Sequence, residues 1–206
     1  MFYLVKTPWW LKRIYPGRIW DMGGKSKSIY LSFDDGPDPE VTPFVLDELA
    51  RYGAKATFFC IGKNLKQHPE LYRRILAEGH AVGNHSFDHL NGWKTNDDVY
   101  VENVLKAKED IDSVLFRPPY GRMSRKQQKQ LSEHGFKTVM WSILSGDFDA
   151  GISPEQCGNN VVRNAESGSI IVFHDSRKAS EKMSYALSLV LKYFSERGYY
   201  FEKIKL

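Results

Sequence analysis

Cysteine is scarce. Cys60 and Cys157 are the only two in 206 residues, and they stand far apart, without the spacing of a disulfide framework or a thiolate metal site. Cys60 lies in an apolar stretch and reads as a small buried hydrophobe. Long apolar runs are missing too: nothing approaches the roughly 20 residues that a membrane helix needs. The aromatic N-terminus is interrupted by Lys6, Lys12, Arg13 and Arg18, and lacks the apolar core and small-residue cleavage site of a secretory leader. The expectation is a cytoplasmic protein, or one peripherally associated with a membrane through an amphipathic segment at 8–15. There is no internal repeat, linker or low-complexity segment. A large excess of one charge is also lacking, since the net charge is only +4. The one basic run, 122–129, contains Gln127 and Gln128 and no stacking aromatic. It reads as a solvated helix face, and no nucleic-acid partner is expected.

What is present is an alternation of short apolar strands with helical stretches from residue 28 onward. Strands are expected over 28–33, 56–61, 80–83, 114–116, 136–143 and 169–173, and 199–204 closes the chain. Helices are expected over 69–78, 124–134 and 180–197, each followed by Gly, and others open at Thr42-Pro43 and Ser153-Pro154. Thr95 with Asp98 suggests a capping box for a helix reaching about residue 112. In the last long helix, Met183, Leu187, Val190, Leu191 and Phe194 recur at helical spacing. The pattern predicts one α/β domain over 25–206, a mostly parallel sheet closed into a barrel. Residues 1–24 form an extension packed across it, because Phe2, Trp9, Trp10 and Trp20 would be costly to leave in water.

Catalytic groups of a parallel barrel sit at the C-terminal ends of its strands. Asp34-Asp35 ends the first predicted strand, His85 follows the third, Arg117 ends the fourth, Asp147 follows the fifth and His174 ends the sixth. One isolated Asp-Gly is usually a solvated turn, and one isolated His-x-x-x-His is a weak metal signal; their convergence on one rim changes that reading. Neighbouring strand residues point to opposite sides, so Asp34 and Asp35 are expected to do different jobs. Asp35 with His85 and His89, the two rings brought together on a helical turn, makes a two-His, one-carboxylate site with open positions. Zinc suits these donors; iron, cobalt, nickel and manganese also fit. Asp34 is left as a base, kept ionised by Arg117. His174 is the expected acid, held protonated by a carboxylate, with Asp147 favoured over Asp149 and Asp175. His68 and His134 are read as surface residues, and His80 as structural.

These stretches together resemble the polysaccharide deacetylase family, carbohydrate esterase family 4. Ser32-Phe33-Asp34-Asp35-Gly36-Pro37 resembles its TFDDGP motif, His85-Ser86-Phe87-Asp88-His89 its H(S/T)xxH, and Arg117-Pro118-Pro119-Tyr120 its RxPY. Ser145-Gly146-Asp147-Phe148 stands where DxxDW belongs, and Val172-Phe173-His174 resembles LxH. The resemblance implies a distorted (β/α) barrel of about seven strands. It implies Asp34 as base, Asp35, His85 and His89 as metal ligands, and Arg117 as orienter of the base. It further implies the Tyr120 backbone N–H as an oxyanion donor, His174 as acid and Asp147 as its partner. The implied reaction is removal of acetyl groups from N-acetylated amino sugars in a glycan or oligosaccharide. Leu144, Phe148 and Val172 depart from the motifs and are expected to alter pocket shape and substrate preference. The alternatives are an O-acetyl esterase or non-sugar amide hydrolase, and a glycan-binding protein without catalysis.

Overall fold

The strand that organises the molecule is buried on both faces, as the apolar run before Asp34 requires. The computed structural model describes residues 3–24 and 26–206. In chain order its elements are α1 (Trp9–Ile14), β1 (Ser28–Asp34), α2 (Thr42–Arg51), β2 (Ala56–Cys60), α3 (Gly62–Gln67), α4 (Pro69–Ala77), β3 (Ala81–Asn84), α5 (Asp97–Lys108), β4 (Leu115–Phe116), α6 (Arg125–Glu133), β5 (Lys137–Thr138), β6 (Ile143–Leu144), α7 (Pro154–Val162), β7 (Ile170–His174), α8 (Ser180–Ser195) and β8 (Tyr200–Phe201). The sheet runs β5-β4-β3-β2-β1-β7-β6, with β8 also on β1, and every pairing of these strands is parallel.

The two ends of that order are neighbours in the chain. β5 and β6 are the halves of the stretch expected as one strand over 136–143. The first half pairs with β4 (Leu115↔Lys137, Phe116↔Thr138) and the second with β7 (Ile143↔Ile171, Leu144↔Val172). One bent strand thus joins both edges of the sheet and curls it into a barrel of seven parallel strands. The bend leaves an open edge on each half, and unpaired buried backbone groups are costly. The N-terminal segment meets both. Leu144 N–H donates to Val5 O and Thr7 N–H to Ser142 O, around an antiparallel bridge between Lys6 and Ile143. Further on, Ile19 N–H donates to Thr138 O while Ile19 O accepts from Met140 N–H.

Between these tethers α1 has no buried residue. Trp20 is covered as expected, its indole N–H donating to Tyr15 O. Trp9 and Trp10 are not: they are 70% and 48% exposed. A six-residue helix hung between two backbone bridges cannot roll its indoles onto the barrel. Phe2, named in the same expectation, lies outside the described residues.

The helices cover the sheet with the predicted faces. All five periodic apolar residues of α8 are buried, and α8 packs on α7. α6 opens with a full capping box between Ser124 and Gln127. Two caps differ from expectation. Asn96, not Thr95, caps α5 by accepting from Asp98 N–H; the Thr95 hydroxyl turns back to Asn91 O, and the helix closes at Lys108. Thr42 is already inside α2, and its hydroxyl donates to Asp175 instead of capping. Among the described residues, no helix is long and apolar enough to cross a membrane.

Candidate active site

β1 delivers Asp34 at its last position, and Asp35 follows in a left-handed turn with φ 77°. Strand alternation therefore does not separate the two acids, because the second lies past the strand. Both line the same cleft. The turn is braced by Asn64 and by Asp175. Asn64 donates to Asp35 O at 2.7 Å, Gly36 N–H donates to Asp175 Oδ1 at 3.0 Å, and a Cβ on Gly36 would collide with that carboxylate. Asp175, weighed as a partner for His174, is instead buried beneath this turn. Burial pushes its carboxyl up to about 8, against the hydrogen bond from Thr42.

Asp34 is buried and accepts from Arg117 Nη1 at 2.7 Å. Arg117 is completely buried, and its other bonds reach Ser32 Oγ at 2.8 Å, Met140 O at 2.9 Å and Val139 O at 3.3 Å. The guanidinium also lies 4.0 Å over the Phe59 ring. Burial pulls its pKa down and the Asp34 charge pushes back.

The His85–His89 stretch is not a helical turn. Ser86 and His89 adopt φ of 62° and 58°, and these kinks, not helical periodicity, bring the rings to 5.0 Å between centroids. The loop is pinned by two asparagines. Ser86 N–H donates to Asn84 Oδ1 at 2.8 Å, and the N–H groups of Phe87 and Asp88 both donate to Asn103 Oδ1 at 3.0 Å. His85 Nδ1 lies 2.8 Å from Arg117 O; a carbonyl only accepts, so the proton sits on Nδ1 and Nε2 presents its lone pair to the cleft. Nε2 of His85 and of His89 lie 3.6 and 3.1 Å from Asp35 Oδ1. One ligand atom from each of Asp35, His85 and His89 falls within 4.8 Å of the others.

Electrostatics suit a cation there. Burial lowers His85 to about 4, so its imidazole is neutral. Burial alone would raise Asp35, but the hydrogen bond with His89 and the charge of His174 hold it well below the usual carboxylate range. An ionised carboxylate beside the His85 lone pair and the His89 ring fits a divalent metal of the zinc type.

On the other side, His174 ends β7 in register with Asp34. Its backbone N–H and its Nδ1–H both donate to the fully buried Asp147, each at 2.7 Å. Burial would depress the imidazole, but the charge and hydrogen bond of Asp147 outweigh it and raise His174 to about 10. Asp149 is turned outward to Gly151 N–H and the Tyr3 hydroxyl.

The cleft, about 360 Å³, has an apolar wall made where the motifs were altered. Leu144 and Val172 are register partners across β6 and β7, and Phe148 sets its ring edge-on to His174 at 5.4 Å. Tyr3 packs 5.2 Å from Phe148. Tyr120, at φ 59°, stands at the mouth with its ring 4.6 Å from His89. Tyr3, Trp141 and the Ser32 hydroxyl were not anticipated. Trp141 lies within the strand expected over 136–143 and could have been flagged, but no local pattern marks Tyr3. Of the remaining histidines, His80 is buried and accepts from Ala56 N–H, His68 is partly covered and His134 is exposed.

Known proteins resemble this chain in sequence and in fold. The family description "Polysaccharide deacetylase" matches residues 21–139. A peptidoglycan-N-acetylglucosamine deacetylase of Bacillus cereus is 37% identical over 188 residues, spanning 88% of each chain. A chitooligosaccharide deacetylase of Azorhizobium caulinodans is 37% identical over 155 residues, 72% of this chain and 73% of its own. A solved peptidoglycan N-acetylglucosamine deacetylase, in complex with 4-naphthalen-1-yl-N-oxidanyl-benzamide, superposes with a TM-score of 0.88 at 32% identity, over 96% of this chain and 95% of that one.

Proposed function

This chain belongs to the polysaccharide deacetylase family, carbohydrate esterase family 4, and from that premise we propose that it hydrolyses the acetamide of N-acetylglucosamine units in a glycan, with Asp34 as base and His174 as acid. Asp35, His85 and His89 would hold one divalent ion, zinc by preference. Such an ion, when bound, polarises the acetyl carbonyl and lowers the pKa of water from about 15.7 toward about 7. Asp34 takes a proton at Oδ2, its Oδ1 being occupied by Arg117. His174 gives the proton on Nε2 to the departing amine as the C–N bond breaks, and Asp147 stabilises the imidazolium beforehand. The Tyr120 backbone N–H is assigned to the carbonyl oxygen as it gains charge. Leu144 and Val172 are assigned to the acetyl methyl.

The observation that carries this reading is the pairing of opposite demands in neighbouring register positions: Asp34 beside an arginine, His174 on a carboxylate. The relatives named above act on peptidoglycan and chitooligosaccharides. The altered wall at Leu144, Phe148 and Val172 favours a changed substrate range, so O-acetyl esters belong in the test. Acetate release should be measured from chitooligosaccharides, peptidoglycan fragments and acetylated xylan, with metal content determined on the same protein. Release from N-acetylated glycans, lost on chelation and restored by zinc, supports the assignment. Release from xylan alone would replace it with an esterase, and no bound metal with no release would leave a glycan-binding protein.

A further inference from the structure

We propose that a second cavity, between α6 and residues 14–19, is a binding site for a small oxyanion, phosphate or carboxylate. It measures about 690 Å³ and shares no lining residue with the catalytic cleft. On α6, Arg125, Gln128, Lys129 and Ser132 are three or four residues apart and so share one face. Arg18 faces them from the N-terminal segment, and Lys137 adds another cation.

Arg18 makes the case. It is only 8% exposed. Its Nε donates to Gln128 Oε1 at 2.9 Å and its guanidinium stacks 4.3 Å over Tyr15, but both partners are neutral. Among the described residues Arg18 has no carboxylate partner, and no acceptor meets its two Nη groups. Arg125 approaches the same Tyr15 ring at 6.0 Å and likewise has no acid. The one acid lining the cavity, Glu133, lies 3.9 Å from Lys129. Buried charge is kept when it is paired. Here the cations converge on an open volume of ligand size without the anion that would pair them. An oxyanion in that volume would take the free Nη donors of Arg18 in the forked geometry that guanidinium offers, with Arg125 and Lys129 closing over it.

The test is calorimetric titration of the full chain in a chloride buffer with inorganic phosphate and, separately, with citrate. The parent should bind one of them with Kd of about 1 mM or tighter. Arg125→Ala/Lys129→Ala should weaken that binding at least about tenfold, and should abolish the rise in unfolding temperature that the same anion gives the parent. Both substitutions are on the surface of α6, so folding and basal acetate release should be unchanged. Arg18→Met should lose the anion response as well. Preference for phosphate or for citrate distinguishes a tetrahedral from a planar ligand, and either supports the site. Binding of neither anion below about 50 mM, or equal binding by parent and double variant, overturns the proposal.

Discussion

Arg117 and Arg18 are both buried arginines, yet their surroundings are opposite. Around Arg117 the donors meet acceptors, and a carboxylate lies at 2.7 Å. Around Arg18 there is one amide, one aromatic face and more positive charge. Burial alone therefore says little about what a cation does. The company it keeps separates a completed ion pair from a cation without a counter-charge.

The largest effect is expected where the completed pair is broken. Arg117→Met strands a buried carboxylate and should cost roughly 3–5 kcal/mol in urea unfolding, together with activity. Parent-like stability in that variant would mean the pair does not hold Asp34. Next, Asp34→Asn keeps the shape and removes the proposed base; acetate release should fall about 10²–10⁴-fold while unfolding changes far less. An active Asp34→Asn protein would end the proposed mechanism.

The third prediction concerns pH. His174 acts as an acid only when protonated, so its value of about 10 keeps the alkaline limb of activity high. Because that value lies above the ordinary 6.5, the ion pair with Asp147 adds stability that is complete below 6.5 and lost as pH rises through about 10. In Asp147→Asn the main opposition to burial is gone, with only the more distant Asp35 and Asp34 charges left, and the alkaline limb should move to lower pH. An unmoved limb in the pH–rate profile would assign it to another group. The smallest effect is reserved for Arg18→Met, within about 1 kcal/mol of the parent in anion-free buffer, since lost stacking on Tyr15 is offset by relief of an unpaired buried charge. A loss equal to that of Arg117→Met would erase the contrast.

Much of the site was legible in the sequence, because strand ends are local features. Asp34, Arg117 and His174 each follow an apolar run, and parallel pairing carries such ends to one rim. The legible part stops where the outcome depends on distant pairing. His85 and His89 meet through left-handed residues that are not glycine, held by Asn84 and Asn103, and spacing alone suggested a helix. The bend in 137–144 is decided by which edges β4 and β7 leave free. Trp9 and Trp10 stay exposed because apolar character predicts a preference for burial, not the tether that prevents it. In sequence Arg18 only interrupts an aromatic stretch, since a lone arginine carries no sign of its neighbours.

The path of the first residues has a practical side. Tyr3 already lines the cleft, and the chain moves down the barrel from there. A bulky fusion on the N-terminal side of Tyr3 would therefore lie close to the cleft. The other terminus is the safer handle: Lys203 reaches Gly79 O, just ahead of β3 and at the opposite end of the strands. Kinetics on polymeric substrates will be cleanest for protein tagged after Leu206.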